Sequence, residues 1–388
     1  MRLNHLALEN YRSYAAAELH LDPGLTIVAG PNGAGKTNLL EAIFVAIAGR
    51  RHRANSDAEL VRHGADFGRV RLDLGGLDAR DTARVELIIP GEAAPAEIRK
   101  RLTVNGVPRR SSTVGETARA VLFRPEEMLL LVGAPSERRR FLDAILAQRD
   151  RGGARDLAEL ARILAQRNAL LRAIRAEEAS EQTLLFWDEQ LAEVGARVTA
   201  ARMAVVAKLD ARIGPLHDAV APADERGASV RLSYHDNLKE AWAGRSEADL
   251  GQLPDAFRRR IAEVRQKELW NGVSLVGPQR DDLRVELAGR DVAAHASRGQ
   301  QRTIILGLKL AETDLLGADE APTPIVLFDD VFSELDAGRS ERVLGLLLER
   351  GQVIVTSADL SALPAARRRG VPIWQVDSGQ LTATPRVA

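Results

Sequence analysis

The sequence predicts an α/β fold: a sheet-bearing head built from both ends of the chain, with a mostly helical insertion between them. Three observations carry this expectation. Short, continuously apolar runs read as buried strands, Leu25-Thr-Ile-Val-Ala29 near the start and Ile325-Val-Leu-Phe328 and Val353-Ile-Val near the end. The first two are followed by polar or glycine-rich turns and then by helical patterns, the order expected around a parallel sheet. Between the two ends, residues 136–212 change to long Ala-, Leu-, Arg- and Glu-rich helices in which glycine is sparse.

Composition narrows the function classes. The chain has 388 residues and is 45% hydrophobic, enough for more than one core. Lys+Arg and Asp+Glu both number 54, for a formal charge of +0, so any affinity for nucleic acid must come from a local basic patch. No cysteine is present, which excludes disulfides, thiolate catalysis and Cys-ligated zinc. The opening MRLNHLALENYRSY lacks the apolar core of a signal peptide. No apolar run approaches the about 18 residues of a membrane span. The expectation is a soluble, cytoplasmic protein with no membrane partner.

Element by element, Arg2 to Leu8 roughly alternates as a strand and 22–24 is a DPG turn. A helix is expected over 37–48. Residues 69–107 read as hairpins, ending in the Asn-Gly turn signal of RLTVNG. Within 156–178, Leu157, Leu160, Leu164, Leu171 and Ile174 fall on one helical stripe. The stretch 213–227, with Gly214 and Pro215, should break the helices. Further helices are expected over 254–270, 299–316 and 338–350, with short strands returning from Gly272. The domains so read are a head of 1–122 plus 273–388 and a helical lid of 123–272. The insertion is too short for a long coiled coil: two arms of roughly 30 residues would reach only about 45 Å.

The chemistry sits in a few motifs. Gly30-Pro31-Asn32-Gly33-Ala34-Gly35-Lys36-Thr37 fits G-x-x-x-x-G-K-[ST] between an apolar strand and a helix. Its glycines let backbone N–H groups turn onto phosphate oxygens, and the helix N-terminus adds partial positive charge. Lys36 is then the point charge on the β- and γ-phosphates of ATP, and the Thr37 hydroxyl a Mg²⁺ ligand. Asn38 follows in the same turn. The apolar strand ending in Asp329-Asp330 supplies a second carboxylate for Mg²⁺ at Asp329 and a residue to polarise the attacking water at Asp330, where ABC-type heads usually carry Glu. Ser333-Glu-Leu-Asp336 resembles the loop after that strand in the same class. Ser297-Arg-Gly299-Gln300-Gln301 leads into a helix, and a Ser and Gly at a helix start make an anion site. In ABC-type heads this element completes the nucleotide pocket of a second subunit. Thr356-Ser357 ends the last apolar strand. Transporter ATPases usually place His where Ser357 stands; a hydroxyl bonds a phosphate but carries no charge, and this argues against a transporter.

Together these features resemble the RecF family of ABC-type, SMC-like ATPase heads. The resemblance rests on Glu9-Asn-Tyr-Arg12, Glu41-Ala-Ile43, Val61-Arg-His-Gly64, Phe123-Arg-Pro-Glu126 and Pro135-Ser-Glu-Arg138-Arg139 with Phe141-Leu-Asp143. It continues through Gln166 to Leu171, Phe186-Trp-Asp188, Gly277-Pro-Gln-Arg-Asp-Asp-Leu283, Ser297 and Asp329 to Asp336. It implies an ABC-type P-loop head without the long coiled coil that forms an ATP-dependent homodimer and binds double-stranded DNA, with a preference for gapped DNA. It also implies work with RecO and RecR to replace single-strand-binding protein by RecA, in DNA repair and the SOS response. By resemblance, Arg12 lies near ATP, and Ser297, Gly299, Gln300 and Asp336 contact nucleotide. The family usually has His where Gln279 stands, which puts any imidazole role there in doubt. It tends to Asp at the position of Asp330, as here, and the shorter carboxylate predicts slow hydrolysis, with Lys36, Asp330 and Ser357 as the catalytic set.

Arginine clusters at 50–53, 109–110, 138–140, 258–260 and 367–369 are the candidate duplex contacts. The cluster 50–53 is preferred, because it follows the phosphate-loop helix, whereas Arg138-Arg139 are expected instead to fix the lid or meet nucleotide. Three Tyr and four Trp leave little for stacking on single-strand bases.

Overall fold

The protein is described by a computed structural model covering residues 1–49, 56–76, 81–238, 247–318, 321–363 and 370–384. Two compact units emerge, one of 1–128, 213–228 and 298–388, the other of 129–212 and 229–297.

In the first unit, a six-stranded sheet runs in the order Gln380–Thr384, Ile373–Asp377, Leu25–Ala29, Val353–Ser357, Ile325–Asp329, Ala120–Phe123. All neighbours are parallel except the first two. Its central strands are buried at every residue, which is why they read as unbroken apolar runs rather than alternating ones. A second six-stranded sheet is antiparallel and built from Arg2–Tyr11, Tyr14–His20, Phe67–Gly75, Thr82–Pro90, Arg101–Val104 and Val107–Pro108. Its strands alternate, with Val70, Leu72 and Leu74 inward and Arg69, Arg71 and Asp73 outward. Asn105 and Gly106 both take positive φ, 51° and 77°, as the expected Asn-Gly hairpin turn demands.

The helix Lys36–Ala48 packs against strands of both sheets. Eleven of its residues are buried, so it is apolar nearly all round rather than striped. Ile43, Phe44 and Ile47 each contribute about 1.5–3 kcal/mol by this burial. The helix ends at Gly49, whose φ of 67° lets its N–H return to the Val45 carbonyl.

The second unit is mainly helical, with Pro135–Arg149, Arg151–Arg175, most of Leu184–Val220 and Leu253–Asn271, plus a three-stranded antiparallel sheet. Leu160, Ile163, Leu191, Phe257 and Ile261 centre its core. Arg167 is fully buried among them and fully bonded. Its Nε donates to Asp188 Oδ1 at 2.9 Å, and its terminal nitrogens to Ser274 Oγ at 2.8 Å and Glu268 Oε2 at 2.6 Å.

One expectation is refined. The helix ends inside the stretch 213–227 as expected, but only after running through Gly214 and Pro215 to Val220. Proline removes one donor and leaves the rest of the ladder intact, and the true stop is the pair Ala221-Pro222. Of the compact units, the first takes in the end of this helix and the loop after it. Residues 213–228 join the first unit through specific contacts. Arg339 donates to the Val220 carbonyl at 3.2 Å and to Thr303 Oγ1 at 2.8 Å, and Thr303 donates to Glu225 at 3.2 Å. Gly307 faces the His217 backbone so closely that a Cβ would lie 3.1 Å from it.

Candidate functional site

At the C-terminal edge of the parallel sheet, the Leu25–Ala29 strand runs into the glycine loop. Gly30 is required by close approach: a Cβ there would lie 2.2 Å from the Val376 carbonyl oxygen. Gly35, at φ 117°, is required on two counts, since a Cβ would also lie 2.7 Å from Ser13 Oγ. Tyr14, buried, donates its hydroxyl to the Gly35 carbonyl at 3.0 Å and clamps the loop from beneath. Asn38 donates to Ser13 Oγ at 3.0 Å.

The helix that follows begins at Lys36 with no side-chain cap and no acidic residue in its first turn. Its first N–H groups and its dipole are thereby directed at the loop, the arrangement that binds anions. Lys36 is 6% exposed and donates to the Gly30 and Pro31 carbonyls at 2.7 and 3.0 Å. Burial pulls its pKa down, against the opposing pull of Asp330 and Asp329. An arriving phosphate would supply the counter-charge that this ammonium finds only in carbonyls and the Asp pair.

Asp329 meets Thr37 directly. The Thr37 hydroxyl donates to Asp329 Oδ2 at 2.8 Å, and the Thr356 hydroxyl donates to Asp329 Oδ1 at 2.7 Å. Thr37 and Asp329 offer hard oxygens at one point beside the phosphate loop, the donor set that suits Mg²⁺. Asp330 adopts the left-handed region, φ 50°. Its N–H is held by both the carbonyl (3.2 Å) and the hydroxyl (3.1 Å) of Thr356, and its carboxylate accepts from Ala358 N at 3.3 Å. Asp tolerates this conformation better than most residues, and strain of this kind sits where a side chain must be aimed.

The structure places the remaining predicted residues as follows. Ser357 is buried, but its hydroxyl donates to the Asp359 carbonyl at 2.7 Å, along its own loop. Arg12, at φ 51°, donates to Glu41 on the Lys36–Ala48 helix at 3.0 and 3.3 Å. Asp336 caps the Ala337–Arg350 helix by accepting from Arg339 N at 2.9 Å. Ser297, Arg298 and Gly299 are exposed and Gln300 is half-buried at the start of the Arg298–Leu316 helix. Gln279 donates to the Val276 carbonyl at 2.8 Å, a structural contact inside the second unit.

Thr356, Tyr14 and Glu41 were given no site role from sequence. Thr356 and Glu41 had a usable signal: a hydroxyl one residue before Ser357 at a strand end, and a lone carboxylate on an otherwise apolar helix. Tyr14 had none, since its link to Gly35 spans two elements.

Of the arginine clusters, 50–53 and 367–369 lie outside the described residues. Several members of two others are already neutralised. Arg138 makes a two-pronged pair with Asp282 at 2.7 and 2.9 Å, Arg140 reaches Glu137, and Arg258 reaches Glu189, Glu193 and Asp255. Arg109 and Arg110 are exposed beside the outer hairpin. Among the described residues no helix is long and apolar enough to cross a membrane.

With this geometry in view, comparison decides the family. Residues 2–379 match the family model described as RecF/RecN/SMC N terminal domain. A protein of Kineococcus radiotolerans named "DNA replication and repair protein RecF" is 41% identical over 384 residues, covering 95% of each chain. The chain belongs to the RecF family. Further RecF relatives come from Roseiflexus castenholzii (35% identical, 98% of this chain and 99% of the relative) and Bacillus subtilis (33%, 98% and 100%). The solved structure titled "recombination mediator protein RecF-ATP in RecFOR pathway" superposes with a TM-score of 0.88 at 27% identity, covering 99% and 98% of the two chains. An SMC head bound to a winged-helix domain of ScpA superposes at 0.56 with 15% identity, over 99% of this chain and 97% of that one, which shows the shared fold alone. The ABC-type, SMC-like head expected from the sequence is therefore the fold of this RecF-family chain.

Proposed function

We infer that this RecF-family chain is an ATP-gated DNA-binding protein of replication and recombinational repair. The reading is carried by one observation: an uncapped helix start, Lys36 and the Thr37–Asp329 pair converge at the mouth of the glycine loop. The solved relative named with ATP supports the nucleotide, and the curated relatives named for DNA replication and repair support the setting.

In this proposal, Lys36 exchanges its carbonyl partners for the β- and γ-phosphate oxygens, and the N–H groups of the helix start cradle the same phosphates. Thr37 and Asp329 would hold Mg²⁺, which neutralises phosphate charge. Thr356 orients Asp329 through one oxygen and fixes the backbone of Asp330. Asp330 then aims a short carboxylate at the attacking water, and its shortness makes hydrolysis slow. Ser357 must turn from Asp359 to meet a γ-phosphate.

The exposed Ser297–Gly299 segment is assigned to the nucleotide of a second copy, so that two ATP molecules join two heads. Closing that dimer aligns basic surface along duplex phosphates at a gap. Hydrolysis releases the clamp. RecO and RecR are the proposed partners, with RecA loading as the outcome. Sedimentation of the protein with and without ATP and Mg²⁺, and with a gapped duplex, tests this. Dimers are expected only with ATP, and Ser297→Arg should abolish them while leaving ATP binding intact. A Ser297→Arg chain that dimerises as well as the wild type would overturn the composite site.

A further inference from the structure

The outer face of the first hairpin gathers three metal-ligating side chains that the nucleotide site does not use. His5 on the Arg2–Tyr11 strand lies directly opposite His20 on the Tyr14–His20 strand. Glu18 and His20 are two residues apart on their strand, so they share a face. Their rings and carboxylate converge. The His5 and His20 rings are 4.5 Å apart between centroids, and His5 Nε2 is 3.8 Å from Glu18 Oε2. One ligand atom from each of the three lies within 4.8 Å of the other two.

A β-bulge creates this arrangement. The pairing of the first strand with Phe67–Gly75 shifts register between Leu3 and His5. Leu3 and Leu6 therefore both point into the core, while His5 is turned to the outer face. Bulges re-aim side chains in this way. Two further features prepare His5 as a ligand. Its Nδ1 lies 3.3 Å from Asp73 Oδ2, and Asp73 is itself held by Arg84 Nε at 2.6 Å. A proton on Nδ1, facing that carboxylate, leaves Nε2 with a lone pair. That Nε2 is closed off from solvent and has no hydrogen-bond partner. A carboxylate behind a histidine, fixing its tautomer, is the usual outer shell of a zinc ligand.

We propose that His5, Glu18 and His20 form a Zn²⁺ site, with His5 and Glu18–His20 clamping the first two strands together and water filling the fourth position. Two imidazoles and a carboxylate are a donor set that zinc accepts in tetrahedral geometry. Bond lengths of about 2.0–2.2 Å require the ligand atoms to draw in by roughly 1 Å, a distance that rotamer adjustment of the exposed Glu18 and His20 supplies. The site lies at the open end of the hairpin, six residue pairs and about 20 Å from the turn at Arg12 and Ser13 that meets the phosphate loop, so metal binding would pin the strand ends without contacting nucleotide.

The test uses the full chain, stripped with a chelator and free of nucleotide. Zn²⁺ is titrated by calorimetry, and Co²⁺ by visible absorption. One equivalent should bind, Co²⁺ should give the intense absorption of a tetrahedral site, and Zn²⁺ should raise the Tm. His20→Ala should abolish the Co²⁺ band. Glu18→Gln, or Asp73→Asn behind His5, should weaken binding about 10–100-fold. Glu18 and His20 are exposed, so these two variants should keep the wild-type circular dichroism and ATP affinity. A wild-type protein with no Co²⁺ band at one equivalent would overturn the proposal. So would a His20→Ala protein that titrates like the wild type.

Discussion

Thr356→Val isolates the residue that ties the two acidic positions together. The substitution keeps the shape of a fully buried side chain and deletes one hydroxyl. Two hydrogen bonds are lost: the donation to Asp329 Oδ1 at 2.7 Å and the acceptance from Asp330 N at 3.1 Å. They are not equal. The first goes to a carboxylate and is worth about 1.5–3 kcal/mol net. The second leaves no orphan, because the same N–H also reaches the Thr356 carbonyl at 3.2 Å. The expected destabilisation is therefore set by the first bond, and at about 2–4 °C per kcal/mol the Tm should fall by roughly 3–12 °C. Asp330 also loses one of the two oxygens that hold its left-handed backbone. At tenfold for each 1.4 kcal/mol, single-turnover hydrolysis of Mg·ATP should drop about tenfold or more. ATP binding measured in EDTA should be unchanged, since Lys36 and the loop are untouched. Thr356→Ser should restore both readouts. A Thr356→Val protein with wild-type Tm and wild-type single-turnover rate would refute the assigned role of this hydroxyl.

Three other outcomes follow from the geometry. Gly35→Ala puts a methyl 2.7 Å from Ser13 Oγ at a φ of 117° and should cost about 1–3 kcal/mol of stability, with at least tenfold weaker ATP binding by calorimetry. Arg167→Met leaves Glu268 buried and unpaired and should destabilise the helical unit by about 3–5 kcal/mol in urea titrations, whereas Arg167→Met with Glu268→Met should recover most of the loss. Burial pushes the Asp281 carboxyl up from 3.8 to about 6, despite the Tyr234 hydroxyl at 2.6 Å and the nearby Arg202. The folded state thus holds this proton more tightly than the unfolded chain. The stability it contributes is complete below about pH 4 and is lost as pH rises through 6. Asp281→Asn should remove that component, so the wild-type-minus-variant difference in Tm should shrink from pH 4 to pH 7 in the wild type's disfavour.

Much of the head was legible because its signals are local. An unbroken apolar strand, a glycine loop and a helix occupy consecutive residues, and Asn105-Gly106 names its own turn. Residues joined only by the fold were not legible. Tyr14 under Gly35, Thr356 behind Asp329 and the pairing of Arg12 with Glu41 depend on elements that meet from distant parts of the chain. Within 213–227 the exact end of the helix was not legible, because Gly214 and Pro215 are breakers by propensity. Contacts to Gly307 and Arg339 outweigh that propensity and draw the helix onward to Val220. The arginine runs were ambiguous in a different way: Arg258 stands in a basic run in sequence, yet carboxylates from Glu189 and Glu193, far along the chain, already neutralise it.

The claim that each nucleotide is held by two copies is tested most directly by mixing two broken chains. Lys36→Ala lacks the phosphate lysine but keeps Ser297, and Ser297→Arg lacks the serine but keeps the loop. Sedimentation velocity with ATP and Mg²⁺ should find each variant monomeric by itself and a dimer in the equimolar mixture, where one complete site forms across the pair. A mixture that stays monomeric, or a Ser297→Arg chain that dimerises unaided, would contradict the shared site.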